Sequence, residues 1–142
     1  MTQWFKFLAL IVLLNACSKN INVQISDAWV RASAPGQSVG AAYMTLESPQ
    51  DSTLVAIESA AASSVAIHSM HMQDGVMKMR MLDTLALKAG KPEKLSPSGM
   101  HLMLIDLKKP LKAGETVSFK LHFKDKANKI TLQTVILPVK EN

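Results

Sequence analysis

Residues 66–82 read AIHSMHMQDGVMKMRML, two runs of strand-forming length on either side of Asp74 and Gly75. An Asp-Gly pair is the strongest short-range signal for a two-residue hairpin loop, because a type I′ turn needs positive φ at both central residues. The stretch therefore predicts an antiparallel β-hairpin whose register is fixed by the loop. The cross-strand pairs are then Gln73 with Val76, Met72 with Met77, Met70 with Met79, and His68 with Met81.

Strand-like patterns continue through the rest of the chain. Successive strand residues point to opposite faces, so residues 116–123 place four large apolar side chains together: Val117, Phe119, Leu121 and Phe123. A second, mostly apolar stripe consists of Ile130, Leu132, Thr134 and Ile136. The other candidate strands are residues 25–32, 39–47, 53–58, 66–72, 76–82, 83–87, 100–107 and 130–139, and residues 60–64 suit one short helical turn. This pattern predicts a single all-β domain, a Greek-key sandwich or barrel.

Composition and charge narrow the functional classes. The chain has 142 residues, enough for one domain with a buried core, and 48% of them are hydrophobic. Its net charge of +5 comes with lysines scattered over the second half and no aromatic platform beside them, so we expect no nucleic-acid partner. The sequence shows no nucleophile–base pair, carboxylate dyad or phosphate-binding loop, so we expect no enzymatic activity.

The first residues are typical of an export signal. Residues 1–16 carry one lysine and then an apolar run that is too short to span a bilayer, as in a signal peptide. Residues 14–17, Leu-Asn-Ala-Cys, resemble the bacterial lipobox, so we expect cleavage before Cys17 and lipidation of that residue. Residues 17–24 are then a lipidated tether and residues 25–142 the domain. This predicts a periplasmic, membrane-anchored protein, and Ser18 favours the outer membrane.

Methionine and histidine concentrate in the middle of the chain. Seven of the nine methionines fall within residues 70–103. On one face of the predicted hairpin, His68 accompanies five methionines, and Met79 is its diagonal neighbour. If residues 100–103 are extended, His101 and Met103 also point to one side. Thioether ligands combined with imidazoles select Cu(I), whereas Zn(II) and iron prefer thiolate, carboxylate or further imidazole ligands.

The residues alone leave alternatives open. Of the other methionines on the face of Met79, three could replace it as a ligand: Met70, Met77 and Met81. Each methionine taken singly is more typical of a strand core than of a metal site. His71 and His122 are expected on solvated faces. Cys17 is the only cysteine, so its lipidation excludes a thiolate metal site and a His/Cys redox copper site.

The spacing of these residues resembles the ligand pattern of the PCu(A)C family of periplasmic copper chaperones. That pattern is a His or Met, ten residues, a Met, twenty-one residues, and then His-x-Met. Here His68 is followed by ten residues and Met79, and then by twenty-one residues and the segment His101-Leu102-Met103. The similarity extends from about residue 26 to residue 139, and includes residues 27–31 (DAWVR), 40–43 (GAAY), 75–80 (GVMKMR) and 98–104 (SGMHLML).

The resemblance implies a cupredoxin-like β-sandwich that holds one Cu(I) through His68, Met79, His101 and Met103. It also implies delivery of copper by a monomeric protein to the Cu(A) subunit of cytochrome c oxidase or to a thioredoxin-like copper chaperone. Copper sequestration without a dedicated acceptor would use the same ligands. An immunoglobulin-like interaction lipoprotein with a methionine-rich core is a third interpretation.

Overall fold

The structure is a computed structural model that describes residues 20–141. The predicted signal peptide and Cys17 lie outside the described residues. In the described part of the chain, no helix is long and apolar enough to cross a membrane. Residues 20–141 form ten strands: β1 (Gln24–Arg31), β2 (Val39–Glu47), β3 (Ser52–Glu58), β4 (Ala62–Gln73), β5 (Val76–Leu82), β6 (Leu85–Leu87), β7 (Glu93–Leu95), β8 (His101–Leu107), β9 (Thr116–Asp125) and β10 (Ile130–Lys140). The predicted all-β fold is confirmed.

The strands follow one continuous path of hydrogen-bonded neighbours. Their order is β5-β4-β8-β2-β1-β10-β9-β3-β6, and β7 pairs with β2 beside this path. The pairs are antiparallel except β1–β10, in which Val30 and Val139 are partners in a parallel arrangement. Strands from both halves of the path contribute to one core, with Leu102 and Leu104 of β8 buried in the same cluster as Phe119 of β9.

The two last strands differ in how well their patterns predict burial. β9 shows the predicted alternation, with its four apolar side chains buried. In β10, however, Ile130, Leu132 and Ile136 point outward and are 48%, 52% and 67% exposed. The register explains the difference, because Leu137 pairs with the buried Val117 and the intervening pairs keep the odd-numbered residues of β10 on the inner face. The apolar stripe read from the sequence is therefore the outer face of β10.

The packed chain begins before the predicted domain boundary at residue 25. Ile21 and Val23 are 3% and 1% exposed and belong to the core. The Gln133 side chain holds this segment, since its Nε2 donates to Val23 O at 2.6 Å and its Oε1 accepts from Val23 N at 3.0 Å. Ile21 and Val23, which fall within the predicted tether over residues 17–24, thus pack with the domain.

Two short segments also differ from the sequence interpretation. Residues 60–64 form no helical turn, because the chain turns at residues 60 and 61 and β4 begins at Ala62. β7 was not predicted, since its three residues are too few to show an alternating pattern.

The hairpin of β4 and β5 has the predicted register from Gln73–Val76 to His68–Met81. Asp74 and Gly75 have φ values of 52° and 75°, as the type I′ turn requires. The pairing of β4 with β8 ends at His68 and His101. Residues 69–80 are therefore a two-stranded ribbon that continues past the body of the sheet, with β5 at the end of the strand order.

Candidate metal centre

The four predicted ligands lie on neighbouring strands at the base of this ribbon. His68 on β4 is the cross-strand partner of His101 on β8, and Met103 is the partner of Ala66. Met79 on β5 pairs with Met70, which places it diagonally from His68. Since residues two apart in a strand point to the same side, all four side chains project from one face of the sheet.

Direct contacts bring these side chains together. His68 Nδ1 lies 2.8 Å from Met79 Sδ. The ring centroids of His68 and His101 are 5.8 Å apart, with an angle of 54° between the ring planes. Met79, His101 and Met103 line one cavity of about 260 Å³, together with Met70. The structure thus gathers three of the predicted ligands around one cavity and holds the fourth against Met79.

His101 is the most firmly held of the four residues. It is 7% exposed, and its Nδ1 lies 3.1 Å from Gly99 O. A carbonyl oxygen only accepts hydrogen bonds, so Nδ1 must carry the proton and donate it to Gly99. The lone pair of His101 is then on Nε2, which is the arrangement that a metal-binding histidine needs.

The environment favours the uncharged forms of His68 and Tyr43 at neutral pH. Burial lowers the pKa of His68 from its ordinary value of 6.5, and the neighbouring His101 lowers it further. Burial also raises the pKa of Tyr43, an effect that Arg31 partly opposes. His68 is consequently a neutral imidazole and Tyr43 a neutral phenol when a metal approaches at pH 7.

Three side chains beside the site were not predicted as functional residues. The rings of Trp29 and Tyr43 have centroids 4.7 Å apart, Tyr43 and His101 are 6.4 Å apart, and the Arg31 guanidinium lies 5.3 Å from the Tyr43 ring centre. Arg31 and Tyr43 also line the cavity. Both belong to the stretches 27–31 and 40–43 that carry the resemblance, so the sequence contained a signal for them without showing where they lie.

The other two histidines lie apart from this cavity. His71 is exposed, and it pairs with Lys78 across the hairpin, so it faces away from His68. His122 lies on β9, where its Nε2 is 3.1 Å from Glu58 Oε2. His71 thus lies on a solvated face, as the pattern predicts, whereas His122, also expected on a solvated face, is partly buried beside a carboxylate.

The chemistry of the donors limits the metals that fit. Among the described residues, no group of three or more His, Cys, Asp or Glu side chains could hold a metal ion. Zinc and hard cations depend on such groups, whereas two imidazoles with uncharged thioethers suit Cu(I). The fold and the site together define a class of protein, an all-β domain with an imidazole–thioether site at the base of a projecting hairpin.

Sequence comparisons identify the family of the chain. The family model described as "Putative lipoprotein LpqE-like" matches residues 23–136. "Putative lipoprotein Lxx21020" from Leifsonia xyli subsp. xyli (strain CTCB07) is 34% identical over 122 residues, which are 84% of this chain and 70% of that relative. The chain belongs to the LpqE-like family.

Solved structures agree with this assignment. The copper-bound PCuAC domain from PmoF2 has the same fold, with a TM-score of 0.67 and 23% identity over 84% of this chain and 93% of that one. The solution structure of apo-DR1885 from Deinococcus radiodurans is 33% identical, covers 89% of this chain and 87% of its own, and gives a TM-score of 0.62. Its CuI form gives a TM-score of 0.59 at the same identity, over 89% of this chain and 84% of that one. The resemblance to PCu(A)C proteins is confirmed, and members of this family are copper chaperones rather than enzymes.

Proposed function

We propose that this protein is a copper chaperone that holds one Cu(I) between His68, Met79, His101 and Met103 and passes it to an acceptor protein. The observation that carries the proposal is the 2.8 Å approach of His68 Nδ1 to Met79 Sδ beside the fixed imidazole of His101. The CuI form of the 33% identical relative supports the same metal and oxidation state. Uncharged ligands leave a bound Cu(I) site with a charge of +1.

The unequal exposure of the ligands suits transfer by ligand exchange. Met79 is 49% exposed on the edge strand, whereas His101 is 7% exposed and bonded to Gly99. An incoming donor from an acceptor would therefore replace Met79 first, while His101 still holds the metal. Thioethers are neutral, so they leave without taking up a proton.

A Cu(I) titration of the apo-domain without oxygen, against a chromogenic Cu(I) chelator, tests the metal site. We expect one tightly bound equivalent, and an affinity at least about tenfold weaker in His101→Ala and in Met103→Leu. His71→Ala is the matched control, because it removes an imidazole from the opposite face of the same hairpin and should change nothing. Failure of the wild-type domain to compete with the chelator, or an unchanged affinity in His101→Ala, would overturn the proposal.

The proposed destination of the copper is the Cu(A) centre of cytochrome c oxidase, which it reaches directly or through a thioredoxin-like chaperone. Deletion of the gene should lower oxidase activity at limiting copper, and a chain with His101→Ala should fail to restore it. Sensitivity to excess copper with normal oxidase activity would instead identify a sequestration protein.

We also propose that the domain is tethered to a membrane outside the cytoplasm through acylated Cys17, as the lipoprotein name of the 34% identical relative supports. Fractionation of cells that express the full chain should find the protein with the membranes, and with the outer membrane in a Gram-negative host. The variant Cys17→Ser should lose this association. A Cys17→Ser chain that stays with the membranes would contradict lipid anchoring at this residue.

A further inference from the structure

The ribbon beyond the metal site carries thioethers that belong neither to the core nor to the four proposed ligands. Met72 is 67% exposed and Met77 is 47% exposed, and Met70 lies between Met72 and His68 along β4. Methionine is ordinarily a core filler. These side chains fill no core, since the ribbon has no third strand beside it among the described residues. Packing in a core therefore does not explain why methionines occupy these positions.

The register makes Met77 and Met70 diagonal neighbours across the hairpin, as Met79 and His68 are. Met79 pairs with Met70 but its Sδ contacts His68, the residue two positions earlier on β4. Met77 pairs with Met72, so the equivalent diagonal neighbour of Met77 is Met70. Directly opposed residues have Cβ atoms about 4.5–5.5 Å apart, and diagonal ones about 7–8 Å apart, within reach of long side chains. Three thioethers can thus converge on one point.

The charges around this cluster do not favour another metal. Asp74 lies in the turn, and Lys78, Arg80 and His71 occupy the alternate positions of the ribbon, which face the other way. The cluster offers neutral sulfur donors only. Such donors suit Cu(I) and its redox-inert analogue Ag(I), and hold neither zinc nor hard cations.

We propose that Met70, Met72 and Met77 form a second, sulfur-only Cu(I) site on the ribbon, weaker and more exposed than the first. Met70 also lines the cavity of the first site, so the two sites adjoin. The second site lies nearer the free end of the hairpin, where Cu(I) can enter from or leave to another protein. The role of the second site in copper transfer rests on the proposed function. Binding of Cu(I) at the second site is measured separately from that function.

The test is a Cu(I) titration of the wild-type domain continued beyond one equivalent, with chelators of two different strengths. We expect a second, weaker equivalent, and in Met72→Leu/Met77→Leu we expect its affinity to fall at least about tenfold while the first equivalent is unchanged. Leucine keeps the apolar volume and removes the sulfur. Met100→Leu is the matched control, because Met100 packs against the core and should leave both equivalents unchanged.

Two further measurements identify the site. In the His101→Ala variant the affinity for the first equivalent should fall while the affinity for the second is unchanged. The absence of the second site can therefore be distinguished from a failure of the proposed function. Titration with Ag(I), followed by NMR of the methionine methyl groups, should shift the resonances of Met70, Met72 and Met77 after the first equivalent is bound. A domain that binds only one equivalent, or a second equivalent unaffected in the double variant, would overturn the proposal.

Discussion

His68 and Met79 are separated by ten residues in sequence, and the Asp74–Gly75 turn makes them diagonal neighbours. This part of the site could be predicted, because a two-residue loop fixes which residues of a hairpin face each other. The placement of Tyr43 and Arg31 beside His101 could not be predicted from the sequence. It depends on the order β8-β2-β1, which follows from packing between residues distant in sequence and not from any local pattern.

The pKa of His68 predicts how copper affinity responds to acid. Burial and the proximity of His101 lower this pKa below 6.5, so protonation of His68 begins to compete with Cu(I) only at a pH below that of an ordinary histidine. We expect the Cu(I) affinity to stay nearly constant as the pH falls to about 6.5 and to weaken below it.

The same shift makes the folded apo-domain less stable in acid. A lowered folded-state pKa means that the unfolded chain binds more protons, so the contribution of His68 to stability is complete above 6.5 and declines as the pH falls toward the folded pKa. An NMR titration of the apo-domain should give a His68 midpoint below 6.5. A midpoint at or above that value would contradict this assignment of the environment.

The two exposed methionines nearest His68 should differ in their contribution to binding. Met79 Sδ contacts His68, whereas Met81 is the directly opposed partner of His68 and is 62% exposed. Met79→Leu should weaken the first Cu(I) equivalent by at least about tenfold, and Met81→Leu by less than about twofold, in the same chelator competition. Equal losses in the two variants would show that either thioether serves as the ligand, the alternative that the sequence left open.

Among the elements, the bounds of β2 and β5 were the most predictable and the buried face of β10 the least, while β4 begins four residues before the predicted strand over residues 66–72. β2 and β5 have the predicted bounds, because their ends coincide with clear turn or polar residues. The apolar stripe of β10 does not show which face is buried, and pairing with β9 directs Gln133 inward, where it bonds to Val23. A single strand's pattern cannot show this, since the polar side chain finds its partner 110 residues away.

The turn of the β4–β5 hairpin is the element whose local conformation matters most for the site. Gly75 has a φ of 75°, and a Cβ there would meet nothing within 4 Å, so Gly75→Ala introduces backbone strain without a clash. We expect a loss of about 1 kcal/mol in the free energy of unfolding, measured by urea denaturation of the apo-domain. Cu(I) affinity should fall as well, because a looser turn holds Met79 less firmly against His68.

Asp74→Asn is the control for this prediction. Asparagine tolerates the positive φ of 52° at this position as well as aspartate does, so the variant should keep the stability and the affinity of the wild-type domain. If Gly75→Ala proves as stable as the wild-type domain, the turn is not under the constraint that its φ values indicate.

For the whole molecule, the metal site and the core share strands but use opposite faces. Leu102 lies between His101 and Met103 and is completely buried in the core, while the two flanking side chains face the cavity. The proposed ligands come from β4, β5 and β8, which meet only when the chain is folded. Binding of Cu(I) should therefore be coupled to global stability, because the unfolded chain lacks the assembled site.

This coupling predicts that Cu(I) raises the melting temperature of the domain. At a free Cu(I) concentration about one hundred times the dissociation constant, binding to the folded state alone contributes about 2.7 kcal/mol. For a domain of this size that corresponds to a rise of roughly 10 °C in a thermal unfolding scan without oxygen. His101→Ala should lose most of the rise. Zn(II) does not suit thioether ligands, so it should produce no rise in the melting temperature of the wild-type domain. An equal rise with both metals would mean that the stabilisation does not arise at the imidazole–thioether site.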